Sequence, residues 1–169
     1  MRHDYSFEGE HIYLIPMNED TSEQYRRLRN REDNRGFFFN SAVIEKEQQE
    51  KWFGSYLKKE SECMFAVFLD DTKEFIGGIG IYDIDHLRGT AEVGRIIIDR
   101  NLVSGKGYGA EAIIGITEIA RHSLELTELY AYIYTDNIAS TKAFLRAGFS
   151  KCLFDDENSG VIKVKLILG

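Results

Sequence analysis

The run Ser104-Gly105-Lys106-Gly107-Tyr108-Gly109-Ala110 has the residue types to hold an anion. Its three glycines alternate with Lys106 and Tyr108 where an apolar, strand-like stretch ends and a long amphipathic stretch starts. Glycine removes Cβ, so the backbone can approach a ligand closely and take positive φ. The free N–H groups of a helix start then face that ligand, and a pyrophosphate is the common biological fit. Lys106 adds one cation. The same spacing would also serve a plain tight turn between strand and helix, and glycines alone leave both readings open. A dinucleotide turn needs G-x-G-x-x-G in a parallel βαβ unit, and a P-loop needs G-x-x-x-x-G-K-[ST]; neither is present.

Other groups could do chemistry beside this turn. Glu92 is a carboxylate on the strand-like stretch before it. Strand alternation puts Tyr130, Tyr132 and Tyr134 on one face, where they serve either as sheet packing or as proton donors. Arg26, Arg27, Arg29, Arg31 and Arg35 place five arginines in ten residues, either a solvated helix face or a clamp for phosphates and carboxylates. Asp83 and Asp85, with Asp155-Asp156-Glu157, offer either polar turns or a site for a cationic acceptor. The two cysteines, Cys63 and Cys152, sit in apolar runs without metal-ligand spacing and read as inert buried thiols; no metal site is expected.

The elements that must position these groups follow from periodicity. His11 to Ile15 forms a first strand ending at Pro16, and Asn18 or Asp20 caps a helix to about Arg31. Trp52, Phe53, Tyr56 and Leu57 share one face of a helix over roughly Glu45 to Lys59. Met64 to Leu69, Phe75 to Tyr82 and Ala91 to Ile98 form three strands with short turns, an antiparallel meander. A helix after Gly107 puts Ile113, Ile116, Ala120 and Leu124 on one side. Leu129 to Tyr134 is a strand and Asn137 to Ala147 a helix; strands at about Phe149–Phe154 and Val161–Leu168 close the chain. The class is α/β (α+β), with a mixed, mostly antiparallel sheet of about seven strands and about four helices.

Residues 1–169 fit one domain: 43% hydrophobic and 12% aromatic content supports one core, and neither linker nor repeat divides the chain. The net charge of -7 argues against a general nucleic-acid binder and favours encounter with cations. No apolar run approaches a membrane span, and no secretory leader follows Met1, so the expected location is cytoplasmic.

The sequence resembles the GNAT superfamily of acyl-CoA-dependent N-acetyltransferases over nearly its whole length. Gly105-Lys106-Gly107-Tyr108-Gly109 matches the family's pyrophosphate loop, preceded by Ala91 to Ile98 as its splayed central strand. Asp136-Asn137 with Ser140, then Gly148-Phe149, matches a second signature lining the pantetheine arm. The resemblance implies acetyl-CoA as cosubstrate, held by Ile96, Ile97 and Ile98, by Ser104 to Ala110, and by Asn137, Ser140 and Phe144. Two positions depart from the pattern. Ser104 stands where relatives often carry Gln or Arg. Phe144 stands where many carry the tyrosine that protonates the leaving thiolate.

An N-acetyltransferase must also deprotonate an alkyl aminium of pKa ~10. Glu92 is the expected base, a role that a glutamate holds in several branches of the superfamily; the bland alternative pairs it with Arg95 or solvent. Tyr134 is the expected acid. The segment from Leu28-Arg29-Asn30-Arg31 to Phe37-Phe38-Phe39 resembles enzymes that acetylate nucleotide-linked amino sugars. Tyr82-Asp83-Ile84-Asp85-His86 resembles polyamine and ribosomal-protein acetyltransferases. Arg29, Asn30, Tyr82 and Asp83 are therefore expected to meet the acceptor, a small-molecule or peptide amine. An amino sugar or polyamine is the leading expectation; a protein N-terminus, or a non-catalytic acyl-CoA sensor, is the alternative. No nucleic acid or membrane partner is expected, and a homodimer stays open.

Overall fold

The computed structural model describes residues 2–153 and 159–169. The period-two runs of the first half build an antiparallel ribbon in chain order: β1 (Phe7–Glu8), β2 (Ile12–Pro16), β3 (Cys63–Leu69), β4 (Phe75–Asp85) and β5 (Thr90–Ile98). β5 then pairs in parallel with β6 (Glu128–Tyr134), β6 with β8 (Val161–Ile167) and β8 with β7 (Ser150–Lys151). Among the described residues this makes one sheet of eight strands.

Helices cover both faces. α1 (Glu19–Asn30) starts at Asn18, whose Oδ1 accepts from the Thr21 N–H at 2.9 Å while the Asn18 N–H donates to Thr21 Oγ1 at 2.9 Å. This reciprocal pair satisfies two otherwise unpaired donors. α3 (Lys46–Tyr56) packs beside α1, and both lie over Met64 and Ile97 through Tyr25, Leu28, Phe53 and Tyr56. On the opposite face α5 (Tyr108–His122) buries Ala112, Ile113, Ile116 and Ala120 completely against Phe65, Val67, Ile79 and Ile81. α6 (Ile138–Arg146) joins that side, where Phe144 packs edge-on against Phe149. Neighbours on one strand, Met64 and Phe65, thus feed different cores, as pleating requires.

Among the described residues there are one more strand and two more helices than the sequence suggests. β1 is two residues long, and α2 (Glu32–Arg35) and α4 (Arg100–Val103) are single turns, too short to show a period. In the expected face of α3, Phe53 and Tyr56 are buried, whereas Trp52 is half-buried and Leu57 exposed. Cys63 is buried and its thiol is pushed up to about 11 by that burial; Cys152 is only half-buried, a correction to the expectation for both. Phe154 and the acidic run Asp155-Asp156-Glu157 lie outside the described residues. No helix among the described residues is long and apolar enough to cross a membrane.

Candidate active site

The site starts from an interruption in the sheet. β5 and β6 pair only through Thr90–Glu128, Ala91–Leu129 and Glu92–Tyr130. Beyond Glu92, β5 keeps β4 on one side while its other edge pairs with no strand among the described residues. A register shift against β4 adds a residue to β5 here, and Arg95 takes φ +52 in the left-handed region. The strain at a non-glycine residue is offset by packing and by Tyr25 Oη, which donates to the Arg95 carbonyl at 2.7 Å. The result is a cleft between β5 and β6, its β5 edge free to bond an extended ligand backbone.

One half of the cleft, a groove of about 340 Å³, runs along Ile96, Ile97 and Ile98 to the start of α5. Gly105 and Gly107 have φ +75 and +78, and Gly107 is the N-cap of α5 without a capping side chain. The first amides of a 15-residue helix therefore keep their hydrogen-bonding capacity for a ligand. A Cβ on Gly107 would come within 3.3 Å of Arg146 Nη1, a tight approach that the arginine tip would have to relieve, so it is the positive φ that calls for glycine. Ser104, Tyr108, Gly109 and Ala110 line the groove too, as do Asn137 and Ser140, whose N–H donates to Asn137 Oδ1 at 3.1 Å. Its cations are Arg100, Lys142 and Arg146, whereas Lys106 is exposed and outside the lining. Open glycine backbone, a helix start and three cations suit a pyrophosphate.

The other half is a cavity of about 610 Å³ lined by Tyr82, Glu92, Arg95, Tyr132, Tyr134 and Phe144, with Arg29 and Trp52 on the helix side. The loop after α2 lays Phe37, Phe38 and Phe39 across it, and Phe39 meets the Tyr134 ring at 4.6 Å. Groove and cavity share Phe37, Phe38, Ile96, Asn137 and Ser140.

Glu92 is half-buried in the cavity lining, four residues before the shared Ile96. Burial raises its pKa above the ordinary carboxylate value, while the Tyr82 hydroxyl, donating at 3.1 Å, opposes that and nearby Asp83 adds to it. Burial and the Glu92 charge in turn hold the Tyr82 phenol well above its usual range. Arg95 makes its ion pair with Glu62 at 3.0 Å and lies over the Tyr82 ring at 4.2 Å, and its charge, like that of Lys163, opposes the rise at Glu92 only in part. The pairing of Glu92 with Arg95 weighed from sequence is thereby replaced by Tyr82, and Glu92 stays a carboxylate with proton affinity to spare.

The expected acceptor residues divide. Arg29 and Tyr82 line the cavity. Asn30 does not, because both ends of its amide are bonded to the Ile44 backbone, at 2.7 and 2.9 Å. Asp83 is exposed at the β4 irregularity with φ +50, outside the lining. The arginine cluster disperses: Arg26 and Arg27 pair with Glu23, and Arg31 with Asp33 and Asp99. Sequence reasoning missed Arg100, Lys142 and Arg146. A signal existed for two of them, since Ala139, Lys142, Ala143 and Arg146 recur at helical spacing and all line the groove. Among the described residues no cluster of three or more potential ligands could hold a metal ion.

With this geometry in place, the comparisons with known proteins define the class. Residues 11–150 match the acetyltransferase (GNAT) domain family, and the chain belongs to it. The chain is 28% identical over 155 residues to the "Probable N-acetyltransferase YjcK" of Bacillus subtilis strain 168, covering 85% of this chain and 82% of that protein. Its fold matches spermidine N-acetyltransferase from Vibrio cholerae, solved with CoA and spermine, at TM-score 0.82 and 18% identity over 95% of this chain and 97% of that one. It also matches FdhC, a nucleotide-linked sugar GNAT, at TM-score 0.82 and 20% identity over 98% and 91%. The chain is an acyl-CoA-dependent N-acetyltransferase with the GNAT fold.

Proposed function

We propose that the chain, acting as one domain over residues 1–169, moves an acetyl group from acetyl-CoA to the primary amine of a small acceptor by direct attack in a ternary complex. The observation that carries this reading is the seam at Ile96, Asn137 and Ser140, where the groove suited to pyrophosphate opens into the cavity holding Glu92. A thiol ester laid along β5 from the α5 start reaches that seam, and an amine in the cavity meets it from the Glu92 side.

Acetyl-CoA supplies the activated acetyl group and a thiolate leaving group. Glu92 takes a proton from the aminium, directly or through one water, so that the nitrogen lone pair can form the N–C bond as the C–S bond breaks. The cleft's unpaired β5 edge orients the pantetheine arm. Phe144, 1% exposed, has no hydroxyl to give, and the leaving thiolate takes its proton from Tyr134 or water. A thiol of pKa ~8.5 leaves acceptably even unaided, so the missing tyrosine lowers the rate without removing the reaction.

Aromatic walls with one carboxylate, Glu92, suit an aminium in the cavity through cation–π attraction. Two structural neighbours, one a spermidine enzyme and one a nucleotide-linked sugar enzyme, make small amines the first acceptors to try. The test is acetyl-CoA turnover over a panel of polyamines, amino sugars, amino acids and peptide N-termini, read by free-thiol release. Acceptor-dependent release supports transfer. Tight CoA binding without release on any class would make the domain an acyl-CoA sensor.

A further inference from the structure

Arg29 lines the acceptor cavity and pairs with no anion among the described residues. It is 7% exposed, and its Nη2 donates to the Asn40 carbonyl at 2.6 Å. Its Nη1 is fully buried and has no hydrogen-bond partner among the described residues. Phe38 covers the guanidinium plane at 4.4 Å. Arg26 and Arg27 are answered by Glu23, Arg31 by Asp33 and Asp99, and Arg95 by Glu62. Arg29 has no such partner among the described residues, and burial pulls its pKa down, opposed only by Tyr25. A desolvated guanidinium is tolerated at such cost when an oxyanion completes it.

We infer that the acceptor carries an oxyanion, a carboxylate or a phosphate, beside its amine, and that Arg29 pairs with it. This rests on the acetyl-transfer reading and narrows it. Arg29 and Glu92 line one cavity, so a single small molecule with separated opposite charges can meet both. The planar fork of arginine matches either oxyanion, and Nη1 is its donor left without a partner among the described residues. A purely cationic polyamine would instead bring like charge against Arg29. The chemistry therefore selects amino acids or amino-sugar phosphates.

The two sources are separated by matched acceptors: phenylalanine against phenylalaninamide, and glucosamine 6-phosphate against glucosamine. In at least one pair the wild type should prefer the anionic member by roughly 10- to 100-fold in kcat/KM, the worth of one charge-assisted hydrogen bond. Arg29→Gln should erase that preference chiefly through KM, and Arg29→Lys should restore part of it. The inference is overturned if neither pair shows a preference, or if Arg29→Gln slows both members of a pair equally. A binding arm stands apart from turnover: the melting temperature of wild type saturated with CoA, with glucose 6-phosphate or 3-phenylpropionate against chloride of equal ionic strength. A rise with either anion supports the site, and no rise overturns it, whether or not Arg29→Gln folds. Failure of every amine to release thiol would overturn acetyl transfer, and the binding arm would then decide the anion site by itself.

Discussion

Replacing Glu92 with Gln keeps an acceptor for the Tyr82 hydroxyl at 3.1 Å and removes only the base. In water, passing a proton from an aminium of pKa ~10 to a carboxylate of pKa ~4.3 costs roughly 8 kcal/mol, at about 1.4 kcal/mol per unit. The cavity narrows that gap from both sides, since burial raises Glu92 and equally disfavours a buried aminium. The remaining gap means that at any moment Glu92 holds the proton of only a small fraction of the bound acceptor, and the freed lone pair attacks from that fraction. Without the carboxylate only bulk solvent can deprotonate the amine, leaving roughly one molecule in a thousand neutral at pH 7 and one in ten at pH 9. The expected deficit of Glu92→Gln in kcat is thus ~10²–10³-fold at pH 7, shrinking to ~10-fold or less at pH 9, within the range of general-base effects. Steady-state thiol release from pH 6 to about pH 9.5, with CoA affinity measured in parallel, reads this directly. A wild-type-to-variant ratio that stays flat across the range would refute Glu92 as the base.

Three further outcomes are expected. Gly107→Ala forces a Cβ into the left-handed region, which costs about 1–2 kcal/mol, and against Arg146 Nη1 at 3.3 Å; calorimetric titration should show CoA binding about tenfold weaker or worse. Arg146→Ala removes a groove cation, so CoA affinity should fall and depend less on salt, checked by titration at two ionic strengths. Burial lowers His3 from 6.5 to about 4, so the folded state holds it neutral. That contribution is full above pH 6.5 and is lost as pH falls toward 4, roughly 2 kcal/mol after allowing for residual solvent contact; across that window the urea midpoint of wild type should fall relative to that of His3→Phe, and a constant difference would refute the shift.

The sequence reading succeeded where local rules decide. Asn18 or Asp20 before a polar helix announces a cap, which the structure gives to Asn18, and the apolar run Met64 to Leu69 announces a strand, whose two sides feed two cores. The glycine turn and Asn137 were legible because a helix start and its cap are local devices. What failed depends on long-range register. The extra residue at Arg95 turns its side chain toward Tyr82 and Glu62, 33 positions away in sequence, and no local pattern encodes that partner. Asn30 looked like an acceptor contact, yet its bonds to Ile44 across an irregular loop show a strut. Arg100 escaped because it sits on a single turn of helix with no period to read.

Transfer of the acetyl carbonyl across the seam between groove and cavity is the central step, and carbon-13 NMR with carbonyl-labelled acetyl-CoA follows that atom. In the presence of an acceptor from the panel, the label should leave the thioester resonance and appear as an amide on the acceptor, matched in amount by free thiol. Label that stays on the thioester with CoA bound, or that appears only as free acetate, would contradict it.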